Sequence, residues 1–516
     1  MRMFDHFIRA AKMWPDRACF ISGQTTHTYA EILAYCRRIG AALRALPIEE
    51  NARVAVYSPN DSMGFTCILG TLAGNYTWVP LNAKNAADEN AYIMDNTGCE
   101  VLFYHSSFVE QVAHIRANVP GLKVLVCIDR QDGDCRSLTE FMQSATAELP
   151  DYADEPDRRV CILSSGGTTG RPKGAVWSNH LWEAEISTYW ACAPFEGHAV
   201  HLVAAPMTHA AGVTAFCLFP RGATQVIIDK ADPLLVMETI QRHKVTHLFL
   251  PPTVIYMMLA HPKVRDFDYS SLKYLLYAAA PMSPDKLTEA MKIFGPVMAQ
   301  SYGQVEAPMF CTFMTPKEHE EALTQGKEKR LWSAGRPTLL TQVEIMDDDG
   351  NLLPPEERGE VVIRGNLVMD GYYNNKEATD AVSTFAWHHT GDIGYKDEDH
   401  FVYIVDRKKD MIISGGFNVY STEVEQAVLS HPAVQDCVVI GVPDDKWGEA
   451  VKAVVEIKAG HKVTPEEIVA LCKERLGSVK APKTVEVWET LPRSAVGKVL
   501  KRTIRDKFWA GRQRAI

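Results

Sequence analysis

Short apolar runs recur between residues 54 and 303: VAVYS, EVLFYH, KVLVCID, HLVAAP, TQVIID, HLFLPP, KYLLYAAAP and PVMAQSYG. Each is strand-length and rich in β-branched or aromatic residues, so each predicts a strand. Helix-length segments such as DPLLVMETIQRHK and SPDKLTEAMKIF separate many of them. In the second, Ser283 is placed to cap the helix and Pro284 falls at its first position. This alternation predicts an α/β fold built from βαβ units with mostly parallel sheets.

The rhythm changes after about Gly335. VEIMDDDGNLLP and GEVVIRG predict hairpin or barrel-like strands, with Asp349-Gly350 as a turn. The charged segment VDRKKD follows, and then a fresh set of elements. STEVEQAVLSHP and TPEEIVALCKERLG read as helices, while DCVVIGVPD, AVKAVVEIK and TVEVWE read as strands. That is an α+β domain of about a hundred residues, a size able to fold alone. The expected division is a large N-terminal domain over 1–405, a link at 406–410 and a small domain over 411–516.

Composition narrows the class. The 516-residue chain is 46% hydrophobic and 23% charged, as soluble globular proteins are. A net charge of −10 with no dense basic tract argues against nucleic acid. Twelve scattered cysteines include no CxxC pair and read as thiols in a reducing compartment. The N-terminus MRMFDHFIRAAKMWPDR reads as an amphipathic helix without a signal-peptide core, and Ser62 to Ala83 reads as a core helix leading into a strand. A cytoplasmic protein is expected.

The stretch SSGGTTGRPKGAV, Ser164 to Val176, follows the apolar run RRVCIL and packs glycines, hydroxyls and one lysine together. Glycines admit close backbone approach, and hydroxyls and Lys173 add donors and charge, which suits a polyphosphate. A flexible surface turn has the same glycines, yet little use for Lys173 beside a proline. It is not a P-loop, since Lys173 precedes Gly174 and Ala175. Gly497-Lys498 has Pro492 and Val499 at the other two signature positions, and no GxGxxG occurs.

SGGTTGRPKG, PMTHAAG, YAAAP, QSYGQVE, WHHTGD, VDRKKDMIISGG and PRSAVGK occur in that order. The ordered set resembles the adenylate-forming superfamily of acyl-CoA synthetases, peptide-adenylation domains and luciferases. The resemblance implies ATP, Mg²⁺ and coenzyme A as reactants and cofactor, with a mobile C-terminal domain. It implies that a carboxylate attacks the α-phosphorus of ATP and that a thiol then displaces AMP. An anion must therefore approach a polyanion, which demands cations and fixed donors.

By the same resemblance, Ser165, Gly166, Gly167, Thr168, Thr169, Gly170 and Lys173 cover the phosphates. Lys498 lies between the carboxylate and the α-phosphate, and Glu306 holds the metal. Tyr302, Gly303, Ala279 and Ala280 surround adenine, while Asp392 and Arg407 take the ribose or phosphate. Lys409 falls at the hinge, and Ser414, Gly415 and Gly416 line the pantetheine tunnel. Position 305 departs from the family, where threonine usually bonds the AMP phosphate; Val305 lacks that hydroxyl.

His209 is implied at the entrance of the acyl site, a catalytic candidate with Lys498 and Glu306. Pocket walls are expected from 206–220, 246–256, 278–282 and 300–310, which contain no Arg or Lys. A second carboxylate there would be buried unpaired, so an apolar monocarboxylic acid is favoured. Phe216, Phe249, Met282 and Met309 suit a medium-chain, branched or aromatic acyl group alike. Two other functions remain open, an acyl-AMP ligase that loads a carrier protein and a non-catalytic nucleotide-binding relative. Pro492 to Lys498 also resembles the surroundings of a lysine silenced by acetylation, which makes a lysine acetyltransferase a candidate partner.

Overall fold

The structure, a computed structural model, describes residues 1–145, 147–165, 171–280, 282–444, 446–493 and 499–510. The chain forms two compact units. The first comprises Met1–Val343 with Ile363–His388, and the second comprises Glu344–Val362 with His389–Ile516. Residues 406–410 lie inside the second unit, and so do most of the barrel-like strands expected to belong to the larger domain.

The first unit carries two sheets. One has nine strands, whose centre is the parallel set Met298–Gln304, Tyr274–Tyr277, His247–Phe249, Val200–Val203, Thr224–Ile227 and Ala18–Ser22. Antiparallel strands close both edges, among them Ala307–Met314 beside Met298–Gln304. The second sheet has eight strands, parallel from Arg136–Ser137 through Arg159–Ser165, with Lys173–Ser178 and Gly371–Tyr372 added antiparallel. The apolar runs of the sequence thus become buried strands, as both-faced burial in a layered α/β fold requires.

Helix signals also hold. Ser283 caps Pro284–Phe294 by accepting from Lys286 N, and Thr464 caps Pro465–Lys480 with a reciprocal Glu467. Ser62–Ala73 is a buried helix leading to the strand Thr77–Pro80. No helix among the described residues is long and apolar enough to cross a membrane.

The second unit holds most of a four-stranded sheet, Thr341–Met346, Gly359–Gly365, His388–Lys396 and Val402–Arg407. It also holds a five-stranded sheet of Phe417–Val419, Ile412–Ser414, Gly448–Ile457, Val434–Asp444 and Thr484–Trp488. Helices Ser421–Leu429 and Pro465–Lys480 bury the apolar side chains of that sheet.

Candidate active site

In the first unit Arg159–Ser165 runs antiparallel to Lys173–Ser178, with Ser165 opposite Lys173. Ser165 is buried and Lys173 half-buried. Gly166, Gly167, Thr168, Thr169 and Gly170 between them lie outside the described residues, and so does Lys498. Tyr372 pairs with Ala175 on the neighbouring strand. Side chains two residues apart share a sheet face, so Lys173 and Tyr372 become diagonal neighbours. The Lys173 ammonium sits 4.9 Å from the centroid of the Tyr372 ring.

Glu306 is reached from the other sheet. Gln304 pairs with Ala307, which makes Val305 and Glu306 the tip of a two-residue hairpin. Trp177 Nε1 donates to the Val305 carbonyl at 2.8 Å, and Met369 N donates to the Glu306 carbonyl at 2.8 Å. The Tyr372 hydroxyl donates to Glu306 Oε1 at 2.6 Å. Burial, and then the Glu306 charge, push the Tyr372 phenol well above its ordinary range. One aromatic residue therefore joins the cation and the carboxylate that the motifs assign separately to the triphosphate and the metal.

Tyr302 lies on the same strand as this hairpin, half-buried opposite Thr312, with Gly303 next to it. Ala279 and Ala280 are exposed just beyond Tyr274–Tyr277. Ala279 has φ +71°, a left-handed conformation that costs a non-glycine residue about 1 kcal/mol or more. That reversal ends the strand earlier than the apolar run KYLLYAAAP suggests. It leaves both alanines at the carboxyl end of the sheet, where open α/β folds bind ligands.

His209 occupies the N-cap position of the helix Ala210–Leu218 without a side-chain cap bond, and its Nδ1 lies 3.0 Å from Thr208 Oγ1. Burial lowers its pKa to about 4, so the half-buried ring is neutral at pH 7. The turn into this helix is tight: a Cβ on Gly212 would lie 1.8 Å from the Met207 carbonyl oxygen. Phe216 belongs to an aromatic core, 5.2 Å from Trp182, 5.4 Å from Phe65 and 5.7 Å from Phe219 between centroids. Phe249 and Met282 are buried, whereas Met309 is partly exposed with φ +32°.

In the second unit Asp392 stands opposite Arg407, whose Nε lies 2.6 Å from Asp392 Oδ1. Lys409 is lowered to about 8, by burial first and then by the Arg407 charge. Its segment is held at both ends. Asp406 accepts from the Ser421 backbone and hydroxyl, and Arg505 pairs with Asp410 at 3.2 Å. Ser414 pairs with Phe417 around Gly415 and Gly416, with φ +60° and +81°, the signs a type I′ hairpin needs. Gly415 N donates to the Trp447 carbonyl at 2.8 Å.

Sequence reasoning missed Tyr372, Trp177 and Trp447. Their only signal is the aromatic character of VWSN, DGYYNN and DKWGE, which a core position would share. Among the described residues no group of three or more His, Cys, Asp or Glu is arranged to cage a metal. Glu306 supplies a hard oxygen of the kind magnesium prefers and would be the residue to hold that ion.

These features define an α/β protein with a lysine and a carboxylate joined by one tyrosine in one unit and a two-glycine hairpin in the other. The chain belongs to the AMP-binding enzyme family: residues 7–373 match that family and residues 423–498 match the AMP-binding enzyme C-terminal domain. It is similar to a medium/long-chain-fatty-acid–CoA ligase of Mycobacterium tuberculosis, 32% identical over 99% of this chain and 90% of that protein. It is also similar to a feruloyl-CoA synthase of an Amycolatopsis species, 33% identical over 97% and 98% of the two chains. An amide bond synthetase from Marinactinospora thermotolerans superposes with a TM-score of 0.89 at 28% identity, covering 98% of this chain and 100% of that one.

Proposed function

We propose that this enzyme activates an apolar monocarboxylic acid with ATP to an acyl-adenylate and transfers the acyl group to coenzyme A, releasing pyrophosphate and AMP. The Lys173–Tyr372–Glu306 arrangement carries this reading, because it fixes a cation and a metal-binding carboxylate side by side. Magnesium, when bound, supplies the charge that offsets the triphosphate. Lys173 holds phosphate oxygens, Glu306 fixes the metal, and Lys498 screens the attacking carboxylate. Asp392 accepts from the ribose hydroxyls. Neutral His209 orients the acid without competing for its charge. The Gly415-Gly416 hairpin, whose glycines carry no side chain to obstruct it, admits the pantetheine arm beside Trp447. Residues 406–410 act as the hinge between the half-reactions.

An amine acceptor is the second reading, favoured by the fold shared with an amide bond synthetase. Acid-dependent AMP release tests both. A panel of fatty, branched, aromatic and dicarboxylic acids is assayed with and without CoA, and Lys498→Ala serves as the control. Turnover of apolar monocarboxylates that requires CoA and Lys498 is expected. Turnover with an amine and no CoA dependence would replace the acceptor, and no turnover with any acid would end the ligase reading.

A further inference from the structure

A small cavity lies in the first unit, between the helices Asn179–Cys192 and Ala210–Leu218 and the nine-stranded sheet. Tyr189, Thr214, His247, Tyr274, Leu276 and Phe313 line it. The centre of a water-sized group has about 10 Å³ to occupy there, room for one such group and little more.

Its position relative to the proposed acid site follows from the fold. His209 occupies the N-cap position of the helix that Thr214 belongs to, and five helical residues span about 7.5 Å. Phe249 lies two strand residues beyond His247, which is about 6.6 Å. Thr214 and His247 thus place the cavity about 7 Å along the helix and along the strand from His209 and Phe249, two residues of the proposed acyl site. It borders the first residue of Tyr274–Tyr277, at the strand end opposite to Ala279.

His247 brings a side-chain nitrogen to this floor. It is 1% exposed, its ring stacks on Tyr274 at 5.3 Å, and the edge of Phe195 closes on it at 5.1 Å. Nδ1 lies 2.7 Å from Thr246 Oγ1, whereas Nε2 is buried with no hydrogen-bond partner among the described residues. His201, paired with His247 on the next strand, is engaged through Nδ1 by Gln225 at 2.7 Å. A buried imidazole nitrogen left without a partner is costly, and an otherwise apolar cavity beside it invites a group that supplies one.

We infer that the acyl site ends at His247 and that the substrate is an acid with an apolar body and a hydroxyl group at its far end, bonded to His247 Nε2. This deepens the acid-activating reading above and rests on it. The Thr246 hydroxyl accepts from Val200 N at 2.8 Å, and its single proton is within reach of both the Val200 carbonyl and His247 Nδ1. Nε2 therefore offers a lone pair in one tautomer and an N–H in the other. A hydroxyl answers both, because it donates and accepts. A ketone answers only the second, and a methyl group answers neither. Burial lowers the ring to about 3, so it stays neutral and gives a second carboxylate no countercharge.

The test compares matched acids that differ only in a terminal hydroxyl or methyl group, in straight-chain and para-substituted aryl series. Two readouts are taken: kcat/KM for AMP release, and Kd for the non-reactive acyl-sulfamoyl adenosine analogues by calorimetry. Wild type is expected to favour the hydroxyl member on the order of tenfold or more, as sites built to bond a substrate hydroxyl do. His247→Phe, which keeps the stacking ring, is expected to abolish or reverse that preference while the methyl analogue's Kd stays within a few-fold. Binding of both analogues with no hydroxyl preference in wild type overturns the inference and leaves the ligase reading intact. A preference that survives in a folded His247→Phe also overturns it. If neither analogue binds and no acid is turned over, the ligase reading falls and this inference falls with it. Should His247→Phe fail to fold, the wild-type ratio alone decides.

Discussion

Tyr372 and Glu306 are bonded through Oε1 at 2.6 Å although 66 residues separate them in the chain. The bond holds one carboxylate oxygen in place while the ring's face holds the Lys173 ammonium. Tyr372→Phe keeps the ring and removes the donor. Roughly tenfold weaker use of Mg·ATP is expected, seen as a raised KM for Mg²⁺ in a pyrophosphate-release assay with little change in Tm. An unchanged magnesium dependence would remove Tyr372 from the site.

Gly415 adopts φ +60°, and a Cβ there would meet Trp447 Cε3 at 2.5 Å. Gly415→Ala is therefore strained by about 1–3 kcal/mol, and the strain falls on the hairpin proposed to line the thiol path. The CoA-dependent step should slow at least several-fold, while CoA-independent pyrophosphate release stays near wild type. Equal losses in both steps would place the hairpin outside the thiol path.

Lys501 donates to Ser421 Oγ at 2.6 Å and pairs with Glu425 at 2.8 Å in the interior of the second unit. Burial raises the Glu425 carboxyl, which the lysine counters. Lys501→Ala leaves a buried carboxylate unpaired, and a loss of about 3 kcal/mol is expected in urea denaturation. The double variant Lys501→Met, Glu425→Leu should recover much of it. A single variant as stable as wild type would show that the pair contributes nothing.

Four histidines of the first unit, His201, His209, His247 and His319, are lowered by burial, three to about 4 and His247 to about 3. Unfolded histidines bind protons near pH 6.5, so between that pH and about 4 the unfolded chain holds more protons. Their contribution is intact above pH 6.5 and is lost as pH falls through this window. Glu185, whose carboxyl burial raises, works in the opposite sense. His319 accepts from the Tyr277 hydroxyl and donates to the Thr315 carbonyl, so His319→Gln isolates one site. Tm measured from pH 7.5 to 4.5 should fall less steeply for that variant; identical slopes would refute the assignment.

Local chemistry carried much of this protein into its sequence. The apolar runs were strands because burial on both faces needs them, Ser283-Pro284 began a helix, and Gly415-Gly416 turned a hairpin that side chains at positive φ would strain. Ordered motifs named Lys173, Glu306 and Asp392 with no fold in view. Other features needed the packed chain. Phe216 and His247 both lie in segments that the sequence assigns to the pocket walls, and only the fold shows that one fills an aromatic core while the other floors a cavity. Asp406 and Arg407 read as part of a charged link, yet they end the strand Val402–Arg407, because its pairing with His388–Lys396 is a long-range event. Tyr372 acquires its role from two sheets that bring Lys173 and Glu306 to one ring, the first at its face and the second at its hydroxyl. A sequence specifies backbone preference and burial residue by residue, whereas such a meeting depends on which elements pack together, and that is decided by the tertiary fold.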